Sequence, residues 1–347
     1  MKIRGLLAIA TGLFLFAHPL TTSAAEFYHG KTIHFVVGLA AGGGYDLAAR
    51  IIGRHMGKYI PGNPTIVVEN RTGAGSLVAA NYIANDAAPD GLTVGIWNSA
   101  FVLYEALGDP AVKIHARKLG WIGAPTTGTP VCGIMGFTGL KTWKDIVDSK
   151  KAIILGATRA GSTYDDLPKL LNLLAGTHFK VITGYTGTAT IKQAMLSHEV
   201  DGGCWTWESM RTTARAMLDA TGDQKLIPFL IDHKEPDVDM KNITLIPEIF
   251  KDEDKRAMYD AWVASYKFQR PFMLPPGTPA DRLDILRKAF AETMKDPEFL
   301  AEAKKSKLDV TYVSPEQIEE DVKKILALNP GMIEKLKFLI PTRKKSA

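Results

Sequence analysis

The chain reads as a mixed α/β protein made of two successive α/β units, and three observations carry that reading. Short apolar runs of strand composition alternate with amphipathic helical segments. The alternation breaks at a Gly/Pro/Thr-rich stretch, "GWIGAPTTGTP" (120–130), and then restarts. From Thr278 onward the pattern is mostly helical.

In the first unit the strand-like runs are "IHFVV", "TIVVEN" and "LTVGIW". Helical segments at Tyr45–Ile60, Gly75–Asp86 and Phe101–Leu107 follow them, as a largely parallel sheet covered by helices requires. Within Tyr45–Ile60, Leu47, Ile51, Ile52, His55, Met56 and Tyr59 share one stripe, with Arg50, Arg54 and Lys58 opposite. "APDG", Ala88–Gly91, is a turn before the third strand. The second unit brings "VCGIMGF", a helix at Thr142–Ser149, "AIILGAT", helices near Tyr164–Ala175 and Thr188–Ser197, and "VDGGCWTW". "KLIPFLI", Lys225–Ile231, is a further strand. Two late helices, "TPADRLDILRKAFAETMKD" and "SPEQIEEDVKKILAL", each open on Thr/Ser–Pro with an early acid, which suits a helix N-terminus.

These runs set expected boundaries: a leader at 1–25, domain 1 at 26–128, domain 2 at 129–225, and a return segment with C-terminal helices of domain 1 at 226–347. The leader has the form of a cleavable export signal, with Lys2 and Arg4 before the apolar "GLLAIATGLFLFA" and the small-residue site "SAA". A periplasmic location is therefore expected. No later apolar run reaches the roughly 20 residues of a membrane helix.

The chain has 347 residues, 42 basic against 37 acidic, and a formal net charge of +5. So mild a charge does not point to nucleic acid, and the tail "TRKKSA" reads as a solvated end. Cys132 and Cys204 are the only cysteines. Export permits a disulfide, but each sits in a strand-like run where a buried thiol serves equally well, so the sequence leaves the pairing open.

The segment with most chemical content is "LAAGGGYD", Leu39–Asp46, with Leu39, Ala40, Ala41, Gly42, Gly43 and Gly44 between a strand and a helix. Gly44 is followed by Tyr45 and Asp46, which removes a P-loop, and the dinucleotide spacing also fails. Two readings remain: a tight turn with Asp46 capping its own helix, or bare N–H groups at a helix N-terminus offered to an anion. A second loop, "LGATRAGSTYDD", presents Thr158, Gly161, Ser162 and Thr163 as small donors, with Arg159 adding a fork suited to a carboxylate. Trp97, Trp205 and Trp207 fall at strand ends, where open α/β sheets gather ligands. Alternation in "CWTWE" puts Trp205 and Trp207 on one face. No G-x-S-x-G elbow or H-E-x-x-H motif is present, and two cysteines do not complete a structural zinc site.

The ordered set "IHFVVGLAAGGGYDLAARIIG", "VVENRTGAGS", "AAPDGLTV", "TGYTGTATIKQAMLSHEVD" and "LPPGTPADRLDILRKAFAETMKDPEF" resembles the Bug family, the extracytoplasmic solute receptors of tripartite tricarboxylate transporters. The resemblance covers nearly the whole mature chain. It implies a type II periplasmic-binding-protein fold, with two α/β domains joined by crossing strands around a ligand cleft. It also implies a carboxylate held by Leu39–Gly44, with Asn98 and Ser99 at the side and Thr158–Thr163 with Tyr185 as the second lip. Thr72, Gly184 and Thr186 depart from the family pattern.

The expected function is a non-enzymatic, monomeric receptor without cofactor or metal. It would capture a small carboxylate and deliver it to membrane transporter subunits. A dicarboxylate is favoured if Arg159 meets a distal carboxylate, with an aromatic body stacked on the tryptophans. A ligand sensor acting on a kinase is the alternative, and an exported enzyme a third.

Overall fold

The computed structural model describes residues 24–159, 162–235 and 240–340. The leader through residue 23, Gly161 and the basic tail from 341 lie outside the described residues. Among those described, no helix is long and apolar enough to cross a membrane.

Two sheets organise the chain. The strands are β1 Thr32–Val37, β2 Thr65–Asn70, β3 Thr93–Ile96, β4 Gly120–Gly123, β5 Pro130–Met135, β6 Ile153–Gly156, β7 Phe179–Ile182, β8 Gly202–Thr206, β9 Leu226–Ile231, β10 Thr244–Leu245 and β11 Phe272–Leu274. The first sheet has the order β2-β1-β3-β11-β4 and the second β10-β9-β5-β8-β6-β7. β1 runs parallel to β2 and β3, and β6 parallel to β7 and β8. Each sheet also contains one strand that runs against its neighbours, β11 in the first and β5 in the second.

Those reversed strands follow the two places where the chain passes between units. The passages hold each other: the Gln269 N–H donates to the Thr126 carbonyl at 2.8 Å and the Gly128 N–H to the Tyr266 carbonyl at 2.7 Å. The fold is thus two α/β units joined by paired crossing segments, as the sequence resemblance implies. β4 occupies the start of the Gly/Pro-rich stretch, within the expected domain 1. One reading needs correction. β9, assigned from its position to the returning domain 1 segment, is hydrogen-bonded between β10 and β5 in the second sheet. There four of its six residues are buried, and the chain returns to the first sheet with β11.

Local chemistry explains most boundaries. The 143–148 helix starts at a capping box in which Thr142 Oγ1 accepts from the Asp145 N–H and Asp145 returns the bond to Thr142. Ser314 caps Pro315–Ile325 as its Ser–Pro start suggests. Thr278 instead donates its hydroxyl to the Pro275 carbonyl, and the Ala280–Thr293 helix begins with no side-chain cap.

One buried core fills the first unit around Phe35, Ile51, Phe272 and Phe290, and another the second unit around Val131, Trp205 and Met210. A third runs across both and includes Trp97, Trp121, Leu170, Phe229 and Trp262. Cys132 and Cys204 face each other in register on β5 and β8 and form a disulfide, settling the pairing that sequence left open. The bridge spans a sequence separation of 72 residues, for which the chain-entropy model gives on the order of 4 kcal/mol. Replacing both cysteines by alanine should therefore lower the urea midpoint markedly. Reducing the bridge in unfolded wild type should lower its urea midpoint in the same way on refolding, and the same treatment should leave the variant's midpoint unchanged.

Candidate functional site

The glycine loop leaves β1 and enters the Gly44–Met56 helix, whose start carries no side-chain cap. The N–H groups of the first turn have no intrahelical partner by geometry. Asp46 does not cap that end in the expected way. Its carboxylate reaches back to the loop, accepting from the Gly42 N–H at 3.0 Å, from Arg50 Nε at 3.0 Å and from Asn70 Nδ2 at 2.9 Å. Asn70 Nδ2 also donates to the Leu39 carbonyl at 2.9 Å, and Arg50 Nη2 to Asn70 Oδ1 at 3.0 Å. Burial opposes ionisation of Asp46, but these donors outweigh it and hold its carboxyl below the usual range. Gly42 sits at φ +77°, where glycine carries little strain. Asp46 therefore shapes the loop and leaves the helix end open.

The second unit meets this end directly. The Ala40 N–H donates to the Thr186 carbonyl at 3.4 Å across the two units. A Cβ placed on Gly44 would lie 2.7 Å from Ser209 Oγ and 2.9 Å from Arg270 Nη2. Beside this seam, a cavity of about 350 Å³ lies between Thr72–Gly75 of the first unit and Thr158, Arg159 and Thr183–Thr186 of the second, with Tyr185 on its wall.

The expected residues divide. Thr158, Arg159 and Tyr185 line that cavity with Thr72–Gly75, whereas the Leu39–Gly44 loop meets the second unit through the Ala40–Thr186 bond and the crossing segment through the approach of Arg270 to Gly44. Thr158 Oγ1 is buried without a hydrogen-bond partner, while the Tyr185 hydroxyl donates to Glu199 at 2.7 Å. Ser162 precedes the Thr163–Ala175 helix and donates its hydroxyl to the Arg159 carbonyl at 2.8 Å. Asn98 and Ser99 lie just before Ala100, the N-cap of the Phe101–Leu107 helix. The Asn98 N–H donates to Ser76 Oγ at 3.0 Å, and Ser99 Oγ donates to the Ser265 carbonyl at 2.7 Å. Ser99 thus ties the first unit to the crossing segment.

Arg159 is engaged within the protein rather than set as a distal anchor. Its Nη2 lies 3.5 Å from Asp109 Oδ2, and its guanidinium lies over the rings of Phe101 and Tyr104. Trp97 is fully buried against Phe101 and Trp121, in the core shared by the units. Trp205 and Trp207 do not continue one alternation, because β8 ends at Thr206 and Trp207 opens the Trp207–Thr213 helix. Trp207 borders a surface hollow with Arg215, Leu218 and Ile243.

Sequence reasoning missed Arg270 and Ser209. Arg270 is 2% exposed and its Nη1 has no hydrogen-bond partner; Ser209 Oγ is likewise buried and unpartnered. Arg270 also adopts φ +55°, a region that costs a non-glycine residue about 1–2 kcal/mol. Neighbouring Gln269 accepts from the Tyr45 hydroxyl at 3.2 Å and donates to Ser99 Oγ at 2.8 Å, fixing the segment against the glycine-loop helix. The available signal was a polar pair inside the apolar run "FQRPFML". In chemical terms, the arrangement offers uncapped N–H groups, a hydroxyl and a guanidinium to one anion in a water-excluded seam.

At the edge of the site, Asp166 is fully buried and accepts from the Tyr104 hydroxyl and, at 3.4 Å, from Trp262 Nε1. Burial pushes its carboxyl up to about 8. Between about pH 4 and 8 the folded chain thus holds a proton that the unfolded chain releases, so this group's contribution falls as pH rises through that window and is flat above it. Asp166→Asn should remove that slope, at most about 1.4 kcal/mol per pH unit, in thermal melts compared from pH 5 to 8. Separately, Gly44→Ala is compatible with a helix but not with the Ser209 and Arg270 contacts. It should leave the far-UV circular dichroism unchanged and weaken ligand-induced stabilisation by 10-fold or more in ligand concentration, on the order of a steric cost of 1.4 kcal/mol.

No protein-family model matches the chain. It is 24% identical over 292 residues to a UPF0065 protein of Agrobacterium vitis, an alignment covering 80% of this chain and 76% of that protein. A UPF0065 protein of Cupriavidus necator is 34% identical over 90 residues, 26% of each chain. Among solved structures, the periplasmic binding protein BugD superposes with a TM-score of 0.70 at 21% identity, covering 90% of this chain and 98% of that one. MatC from Rhodopseudomonas palustris with bound malate gives 0.65 at 20% identity, covering 90% and 99%. A further R. palustris protein with adipate gives 0.70 at 15% identity, covering 90% and 99%. The chain shares the fold of these periplasmic binding proteins.

Proposed function

We propose that the protein is an exported, non-enzymatic receptor that captures a small carboxylate between its two units and hands it to membrane transporter subunits. The observation that carries this reading is the uncapped start of the Gly44–Met56 helix, delivered into the seam by a loop that Asp46 and Asn70 hold in shape. A helix N-terminus favours negative charge, and hydrogen bonds to a charged acceptor contribute roughly 1.5–3 kcal/mol each. The loop is already braced, so little entropy is lost when an anion arrives.

Solved proteins of this fold with malate or adipate bound support a carboxylate as the cargo. Contacts across the seam form only when the units meet, so the ligand would stabilise the closed form by bridging it, and that difference is what a membrane partner would read. A dicarboxylate is favoured, with one carboxylate at the helix start and the other toward the cavity lined by Thr158 and Tyr185. Export through the leader places the protein in the periplasm.

Isothermal titration with malate, succinate, adipate, benzoate and terephthalate, beside glucose and glycerol 3-phosphate, tests the reading. At least one carboxylate should bind in the micromolar range or tighter. Binding confined to the sugar or the phosphate ester would refute it.

A further inference from the structure

Arg270 is a buried guanidinium that makes no ion pair among the described residues and keeps an unpartnered donor. Its side chain lies in the seam with Nη2 close to Gly44 and Nη1 without a hydrogen-bond partner, and no carboxylate among the described residues reaches ion-pair distance. Glu208 is the acid whose field it feels. Its Oε1 accepts from the Thr129 N–H at 3.2 Å and its Oε2 is buried without a hydrogen-bond partner; burial pushes that carboxyl above the usual range although Arg270 acts in the opposite direction, and no ion pair joins the two side chains. The rest of the surround is Tyr45, Tyr164 and Ser209, none of which carries a counter-charge.

The location makes this arrangement more unusual. The positive end of the Gly44–Met56 helix dipole points into the same seam, so two positive features face each other in a low-dielectric interior. A buried unpaired cation is strongly unfavourable. The backbone of Arg270 is held in the left-handed region as well, and unfavourable features of this kind persist where surrounding structure enforces them. Gln269, fixed by Tyr45, Ser99 and the Thr126 carbonyl, is that surrounding structure.

We infer that Arg270 is the direct ion-pair partner of the ligand's carboxylate, clamping it against the uncapped start of the Gly44–Met56 helix with Ser209 as a third donor. This inference rests on the carboxylate-receptor reading and adds to it a specific contact. The guanidinium offers two parallel N–H groups to one carboxylate, and the backbone N–H groups of the helix serve the same group's remaining lone pairs. Because Arg270 belongs to the crossing segment, ligand charge is read where the units join. An ester or amide of the same acid lacks that charge and is rejected, which makes Arg270 the residue that selects ionised over neutral cargo.

The test compares wild type, Arg270→Met and Arg270→Lys by thermal shift and titration against malate, succinate, adipate, benzoate and terephthalate, each beside its methyl ester. The expected result has three parts. Wild type is stabilised by at least one free acid and not by its ester. Arg270→Met melts at or above wild type without ligand, because a buried guanidinium without an ion pair has gone, yet binds that acid more weakly by on the order of 30-fold. Arg270→Lys retains part of the affinity. Equal affinities in wild type and Arg270→Met overturn the role of Arg270 while leaving the receptor reading intact. Absence of stabilisation of wild type by every acid overturns that reading and the inference with it. An Arg270→Met chain that melts well below wild type shows that the guanidinium already has a structural partner, and also overturns the inference.

Discussion

The open start of one helix governs this cleft. Helix N-termini in folded proteins usually find a side-chain acceptor, and here the acidic residue best placed to act as one, Asp46, is turned away to hold the preceding loop. Its carboxylate is satisfied by Gly42, Arg50 and Asn70 together, so the loop is rigid without any group blocking the helix axis. Every other feature of the seam follows from keeping that end open. Gly44 must lack a side chain because Ser209 and Arg270 approach it, Thr186 meets the backbone of Ala40, and the crossing segment is pinned to Tyr45 through Gln269.

Stability and function are kept on different elements. The interior strands, the shared core around Trp97 and Trp262, and the Cys132–Cys204 bridge carry the fold. Among the buried polar atoms without a hydrogen-bond partner, Ser209 Oγ, Arg270 Nη1 and Thr158 Oγ1 lie on residues that approach Gly44 or Gly75 of the first unit. Buried polar atoms elsewhere in folded proteins are almost always paired. Atoms of this kind at the meeting of two units are open to partners supplied by a ligand.

Much of the architecture was legible because strand and helix periods leave a direct mark on sequence. Phe101–Leu107 is a helix as read, the 143–148 helix begins at the Thr142 signal, and the glycine loop lies where its composition put it. β9 was misassigned because an apolar run records burial but not which sheet buries it. The tryptophans were harder still: Trp97 went to the core, and Trp207 left the strand for a helix. Arg159 matched the chemistry sought but met Asp109, some 50 residues earlier in the chain, and no local pattern shows such a pairing. Arg270 carried the complementary problem. Nothing about an arginine before a proline says that it will be buried beside a helix start brought from the other end of the chain.

The central claim is that the seam is built for a small carboxylate anion. Native mass spectrometry of the protein purified from its own periplasmic extract, followed by release and mass determination of the bound molecule, tests this most directly. The account predicts a small organic acid bearing at least one free carboxylate, at near-stoichiometric occupancy. A neutral sugar or a phosphorylated compound recovered at that occupancy would contradict it.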